Sequence, residues 1–280
     1  MPAPDDPPFV TFLSDFGTAD DFAGICHGVI NLICPRAQVI NVTHGIMPQA
    51  IGQGARVLAG AMPYLPVGVH LAVVDPGVGS ERRAIALRTA DGRRFVGPDN
   101  GLLIPAAEAC GGVVEAVSIT NPQIMLQPVS RTFHGRDVFS PAAARLAGGM
   151  PLPELGPAID PADLVRRETP DHRIEGAVVH AQVQYIDRYG NIQLAVSAGE
   201  LDGLFQLGRM AEIDTGDDRY YARCSDTFTD VGPGEFVVYE DASGLLSVAL
   251  NRGNAAELTA AEVGDQIAID LAPALSGDST

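Results

Sequence analysis

Basic charge is what this 280-residue sequence has little of: 18 lysine and arginine residues stand against 35 acidic ones, a formal net charge of -17 at neutral pH. A surface of that sign repels phosphate backbones and anionic headgroups, which argues against nucleic acid or membrane as partners. A cationic or neutral small molecule suits it better, and solubility accounts for much of the acidity. No apolar run approaches a bilayer-crossing length, and the opening MPAPDDPP has neither the basic region nor the apolar core of a secretion signal. A cytoplasmic protein with loose tails at both ends is expected. The four cysteines, Cys26, Cys34, Cys110 and Cys224, form no C-x-x-C pair and read as reduced core residues. The histidines show neither H-x-x-x-H spacing nor cysteine partners, which leaves zinc without support. No G-x-x-x-x-G-K-S/T and no G-x-G-x-x-G after a strand occurs, so P-loop and dinucleotide fingerprints are lacking, and Gly77-Val78-Gly79 is a weak echo only.

What is present is a globular balance, 46% apolar and 19% charged, on a chain long enough for two domains. Phe9 to Ser14, Gln38 to Val42 and Val69 to Val74 read as strands. They alternate with apolar-periodic helices from Asp20-Asp21 to Ile33 and from Ile51 to Leu65. Such βαβαβ order predicts an α/β domain with a mostly parallel sheet covered by helices, over residues 9–160. Ala84 to Thr89 and Arg93 to Val96 read as a hairpin across Asp91-Gly92. A helix near Leu102 to Ala109, a strand from Val113 to Ile119 and an Ala-rich helix ending near Ala147 follow. The Pro/Gly-rich stretch 148–175 reads as the linker or domain boundary. Beyond it, short β-rich runs separated by Gly, Asp and Asn turns predict an all-β antiparallel sandwich or barrel over residues 172–272.

Chemistry points to the strand ends. In VVDPGVGSERR, from Val73 to Arg83, a buried strand turns as soon as Asp75 emerges, and Arg82 follows closely. The carboxyl ends of strands are where open α/β sheets place ligands. A charged surface turn is the plainer reading of the same residues. Asp15 ends the first strand in the same way and would neighbour Asp75 if the two strands are parallel. Asp20 and Asp21 read as cap and dipole partners of the helix they open. His134, in RTFHGRDVFS, is either a hydrogen-bonded structural histidine or a proton-handling one. The turns Asp187 to Asn191 and Leu250 to Asn254 carry polar groups that could serve a ligand or simply close hairpins.

Together, LSDFGTADDF, VVDPGVGSERRAI, GPDNGLL, RTFHGRDVFSPAAARLA and YIDRYGNI resemble the S-adenosyl-L-methionine (SAM) hydrolases, or SAM hydroxide adenosyltransferases, relatives of halogenating adenosyltransferases. The resemblance runs from about Phe9 to about Leu271. It implies hydrolysis of SAM to adenosine and methionine, with no cofactor and no metal, in a homotrimer whose sites lie between subunits. It implies that Asp75, Arg82 and His134 handle the attacking water and that Asp15 holds the ribose diol. Asp187 and Asn191 would contact methionine or ribose, and Tyr189 and Phe228 would face adenine. Phe133, Ser247, Leu250 and Asn251 complete the implied substrate-binding set. Where the hydrolases read Asn-Ser-Phe-Gly followed by glutamate, this chain has Asp241-Ala242-Ser243-Gly244 and then Ser247, leaving Ser243 or Ser247 to offer a hydroxyl. The halogenating relatives carry tyrosine at the positions of Asp75 and His134, and fluorinating ones an insertion after Ala84 to Thr89. The alternatives are therefore a halide-using adenosyltransferase, or a module that binds SAM or adenosine without chemistry.

Overall fold

A computed structural model describes residues 7–168 and 171–272, so the expected tails lie outside the described residues. The chain divides between Arg167 and Glu168 into two compact units.

The first unit is built on a seven-stranded sheet in the order β2-β1-β3-β5-β4-β6-β7. Its strands are β1 (Phe9–Ser14), β2 (Gln38–Thr43), β3 (Val69–Val73), β4 (Ala84–Thr89), β5 (Arg94–Pro98), β6 (Val113–Ser118) and β7 (Ala158–Ile159). β2, β1, β3 and β5 pair in parallel, and antiparallel β4 and β7 make the sheet mixed, with most strands in one direction. Strand alternation sends Val10, Phe12, Val69, Leu71 and Val73 to one face, and Leu13, Ala72 and Val74 to the other. The first face packs on α1 (Phe22–Ile33) and α4 (Ser140–Ala147), the second on α2 (Ile51–Ala61) and α3 (Ile104–Ala109). Both faces are covered, which is why the central strands read as continuous apolar runs. All four cysteines are buried and free.

Three local expectations change. The β4–β5 hairpin closes on Thr89 and Arg93 around Ala90-Asp91-Gly92, a three-residue loop whose Gly92 sits at φ 90°. That is a bulged turn and not a two-residue one. Asp21 precedes α1 but makes no side-chain cap. The stretch 148–175 holds the boundary between the units, as expected, but is not an open linker: Leu152 and Leu155 are buried, β7 joins the sheet, and His172–Glu175 is a strand of the second unit.

The second unit contains β8 (His172–Glu175), β9 (Val178–Ile186), β10 (Ile192–Ser197), β11 (Met210–Asp214), β12 (Arg219–Cys224), β13 (Phe236–Glu240), β14 (Leu245–Leu250) and β15 (Gln266–Asp270). A β9–β10 pairing closes seven of them into a barrel, with β8 attached outside through β9. Of the two expected forms the barrel is the one adopted, and β12–β13 is its one parallel pair among the described residues. A short helix, α5 (Ala255–Thr259), follows β14, capped by Asn254.

Candidate active site

Asp15 and Asp75 follow the ends of adjacent parallel strands, β1 and β3, where Ser14 lies beside Val73. One oxygen of Asp15 accepts the Gln49 backbone N–H at 2.9 Å. Gln49 reaches it from the start of α2 at φ 67°, a conformation uncommon for a residue with a side chain. Ser14, next to Asp15, is itself fixed: its hydroxyl lies 2.7 Å from His44 Nδ1 and receives the Phe16 N–H at 3.3 Å. Burial, and then the neighbouring His27, hold the His44 pKa below its ordinary value.

The carboxylate of Asp75 pairs with Arg82 through Nε, at 3.0 and 3.1 Å, and through Nη2, at 2.5 Å. The side chains are only 5% and 11% exposed, so this pair is held away from solvent. The same Nη2 lies 2.6 Å from His134 Nδ1. A guanidinium has no acceptor, so Nδ1 must be unprotonated and the ring proton must sit on Nε2. Burial, and then Arg82, lower the His134 pKa. The ring of Phe139 lies under the Arg82 guanidinium at 5.1 Å.

His134 enters a π-helical turn, Gly135–Phe139, that runs into α4. Such turns recur at functional sites because they re-aim side chains within a helix. Asp137 braces the turn, accepting two bonds from Arg136 and one from the Ser130 N–H. Burial alone would raise its pKa, yet these bonds leave it lowered. Phe16, Phe22 and Phe133 pack edge to face at 5.2 to 6.0 Å. Gly135 permits this, since a Cβ there would lie 2.9 Å from the Phe16 ring. Asp15, Phe16, Gln49, Asp75, Phe133 and His134 line one cavity of about 250 Å³.

The second unit carries its own group. Asp187 organises the β9–β10 turn, accepting the Tyr189 and Asn191 N–H groups on one oxygen and Asn191 Nδ2 on the other. Tyr189 is 67% exposed and Phe228 40%. Tyr239, Ser247 and Gln193 form a row across β13, β14 and β10, and Phe228 meets the Tyr239 ring edge-on at 4.9 Å. Burial, then Asp241 and Asp187, push the Tyr239 phenol up to about 12. Ser247 is buried and donates to Asp241 at 3.2 Å, so its hydroxyl is engaged within the barrel wall, whereas Ser243 is exposed. Leu250 packs on the barrel core, and Asn251 ties its amide to the Val231 carbonyl at 2.7 Å. Sequence reasoning passed over Gln49, Gln193 and Tyr239. Gln49 contributes a backbone N–H, which no side chain advertises, and the other two sit inside strands where apolar alternation masks them.

Among the described residues no three His, Cys, Asp or Glu side chains gather to hold a metal. The SAM hydroxide adenosyltransferase N-terminal domain model matches residues 10–156 and the C-terminal domain model residues 181–268. The (R)-S-adenosyl-L-methionine hydrolase of Salinispora arenicola is 48% identical over 262 residues, 94% of this chain and 97% of that one. The Thermus thermophilus protein of the same name is 39% identical, over 89% of this chain and 94% of its own. A solved structure of an uncharacterized conserved protein from Thermotoga maritima superposes with a TM-score of 0.86 at 32% identity, covering 93% of this chain and 99% of that one. The match to the family's N-terminal domain thus falls within the α/β domain, and the β barrel holds the match to its C-terminal domain. The chain belongs to the SAM hydroxide adenosyltransferase family.

Proposed function

We propose that the protein hydrolyses S-adenosyl-L-methionine to adenosine and L-methionine, acting on the (R) sulfonium epimer for which its relatives are named. The observation that carries the site assignment is the single Arg82 Nη2 that bonds both Asp75 and His134 beside Asp15. Water attacks C5′ as the C5′–S bond breaks, and the thioether sulfur leaves with the electron pair. A sulfonium needs no acid to depart, so the protein's task is to aim water and to take its proton. His134 already holds its proton on Nε2 and offers a donor, while among the described residues Asp75 Oδ1 accepts only the Arg82 Nε–H and keeps a lone pair for water. Asp75 therefore takes the proton, and His134 orients the water oxygen. Asp15 holds the ribose diol, so that attack is collinear with the leaving sulfur.

Two carboxylates against one guanidinium leave the cavity net negative with His134 neutral, which favours a cationic sulfonium and disfavours a halide. The candidate residues divide between the two units, and the resemblance to the family supports a homotrimer in which neighbouring subunits complete each site. Incubation with each SAM epimer in chloride-free buffer, with products separated by chromatography, tests the activity. Adenosine and methionine from the (R) epimer are expected, and products only when halide is supplied would overturn the reading.

A further inference from the structure

We infer that Asp99 and Asn100, at the end of β5, form a two-point clamp on the loop carrying Asp75 and Arg82, and are positioning residues for the reaction. The loop 75–82 is bounded by Val74 and Arg83, and each boundary is tied to one of these neighbours. Asn100 Nδ2 donates to the Val74 carbonyl at 2.9 Å, and its Oδ1 receives the Leu102 N–H at 3.2 Å, which fixes the orientation of the amide. Asp99 Oδ2 accepts Arg83 Nε at 2.7 Å and lies 2.5 Å from its Nη2. Its Oδ1 accepts the Val165 N–H at 3.0 Å, and its own N–H donates to the Arg83 carbonyl at 3.0 Å. The Asp99 side chain is 2% exposed and that of Arg83 37%, so the carboxylate end of this pair is desolvated while the guanidinium keeps partial contact with solvent.

β5 is hydrogen-bonded to β3, so the anchor belongs to the same rigid sheet that delivers Asp75. Entry and exit of the loop are thus referenced to two consecutive residues. Gly79 adds a third restraint: it sits at φ +78°, and a Cβ there would be 2.5 Å from the Arg131 carbonyl, three residues before His134. Arg82 must reach Asp75 and His134 at once, and a shift of about 1 Å at a reacting centre can cost on the order of a hundredfold in rate. GPDNG reads from sequence as a turn into a helix, and no part of the chemistry needs its side chains directly.

This inference rests on the reading of Asp75, Arg82 and His134 as the water-handling set. Asn100→Asp keeps the size and the oxygen facing Leu102 but removes the donor to Val74. It should lower kcat by about 10- to 100-fold and leave KM and adenosine affinity within about threefold. His134 is faced by Arg82, Asp75 and Asp137. As Arg82 withdraws, the His134 midpoint measured by histidine NMR should rise toward the ordinary value. Asn121→Asp is the control, removing a like bond at 2.9 Å from Asn121 to the Glu154 carbonyl, and should do neither. Arg83→Lys, which retains the charge and loses the fork, should give the same pattern at smaller size and serves if Asn100→Asp does not fold. An unchanged kcat and His134 midpoint in a folded clamp variant, or equal shifts in the control, would overturn the clamp. Wild-type protein that turns over no SAM would fail the underlying reading instead, and the NMR midpoints still decide the clamp.

Discussion

Arg82 donates to Nδ1 of His134 at 2.6 Å, and that contact sets the imidazole as a neutral donor. The folded-state pKa is lowered, first by burial and then by Arg82. Protonation would place a proton on Nδ1 against the guanidinium. The sign follows: the arrangement is intact at neutral pH and is lost as pH falls below the ordinary histidine range. Activity should therefore decline on the acid side with an apparent midpoint below 6.5, with ¹⁵N shifts at pH 7.5 marking the Nε2–H tautomer. An Nδ1–H tautomer, or a midpoint above 6.5, would contradict the assignment.

The two strand-end aspartates should fail differently. Asp75→Asn removes the proposed proton acceptor and should lower kcat by about 10²- to 10⁴-fold while adenosine binding changes little. Asp15→Ala should free the ribose, on the proposed reading, and damage binding and rate together, since positioning can contribute several kcal/mol, of order 7 or more at best. Adenosine affinity by calorimetry, beside steady-state kinetics, separates the two. Equal loss of binding in both variants would remove the distinction drawn between them.

His70 lies in the middle of β3 and is fully buried, with Nδ1 2.8 Å from the Thr11 hydroxyl. Burial, and then Arg93, lower its pKa from 6.5 to about 4. The unfolded chain therefore binds a proton that the folded chain refuses across that window. Stability present above pH 6.5 should be lost as pH falls toward 4, by on the order of 3 kcal/mol from this group. Replacing the pair as Thr11→Val with His70→Leu leaves neither polar group orphaned. Urea unfolding of that double variant should show a shallower pH dependence than wild type, and identical slopes would refute it.

How much of this was legible in the sequence depends on what each feature needs. Asp15 beside Asp75 needed only apolar runs and a parallel βαβ order, and the structure puts them on adjacent strand ends. The approach of His134 to Arg82 spans 52 positions and depends on how the loop before α4 folds back, which no local pattern encodes. β7 is two residues long, β8 is largely exposed and polar, and β11 is only five residues with two buried apolar side chains, Ala211 and Ile213, so none carried a strong strand signal. Ser247 was attractive as a bare hydroxyl, but its Asp241 partner is visible only once β14 is paired with its neighbours.

The proposed homotrimer makes a separate prediction. Variants altered at His134 and at Asn191, each inactive alone, should regain part of the activity when mixed and allowed to exchange subunits, because some sites then combine two intact halves. A monomer by sedimentation, or no recovery despite proven exchange, would show that each chain builds its own site.

The most direct test of the central claim follows the oxygen. Turnover of (R)-S-adenosyl-L-methionine in H₂¹⁸O should place ¹⁸O on C5′ of the adenosine product, read by mass spectrometry, with none in methionine. Adenosine without label at C5′, or cleavage on the methionine side of sulfur, would contradict water attack at C5′ and the roles given to Asp75, Arg82 and His134.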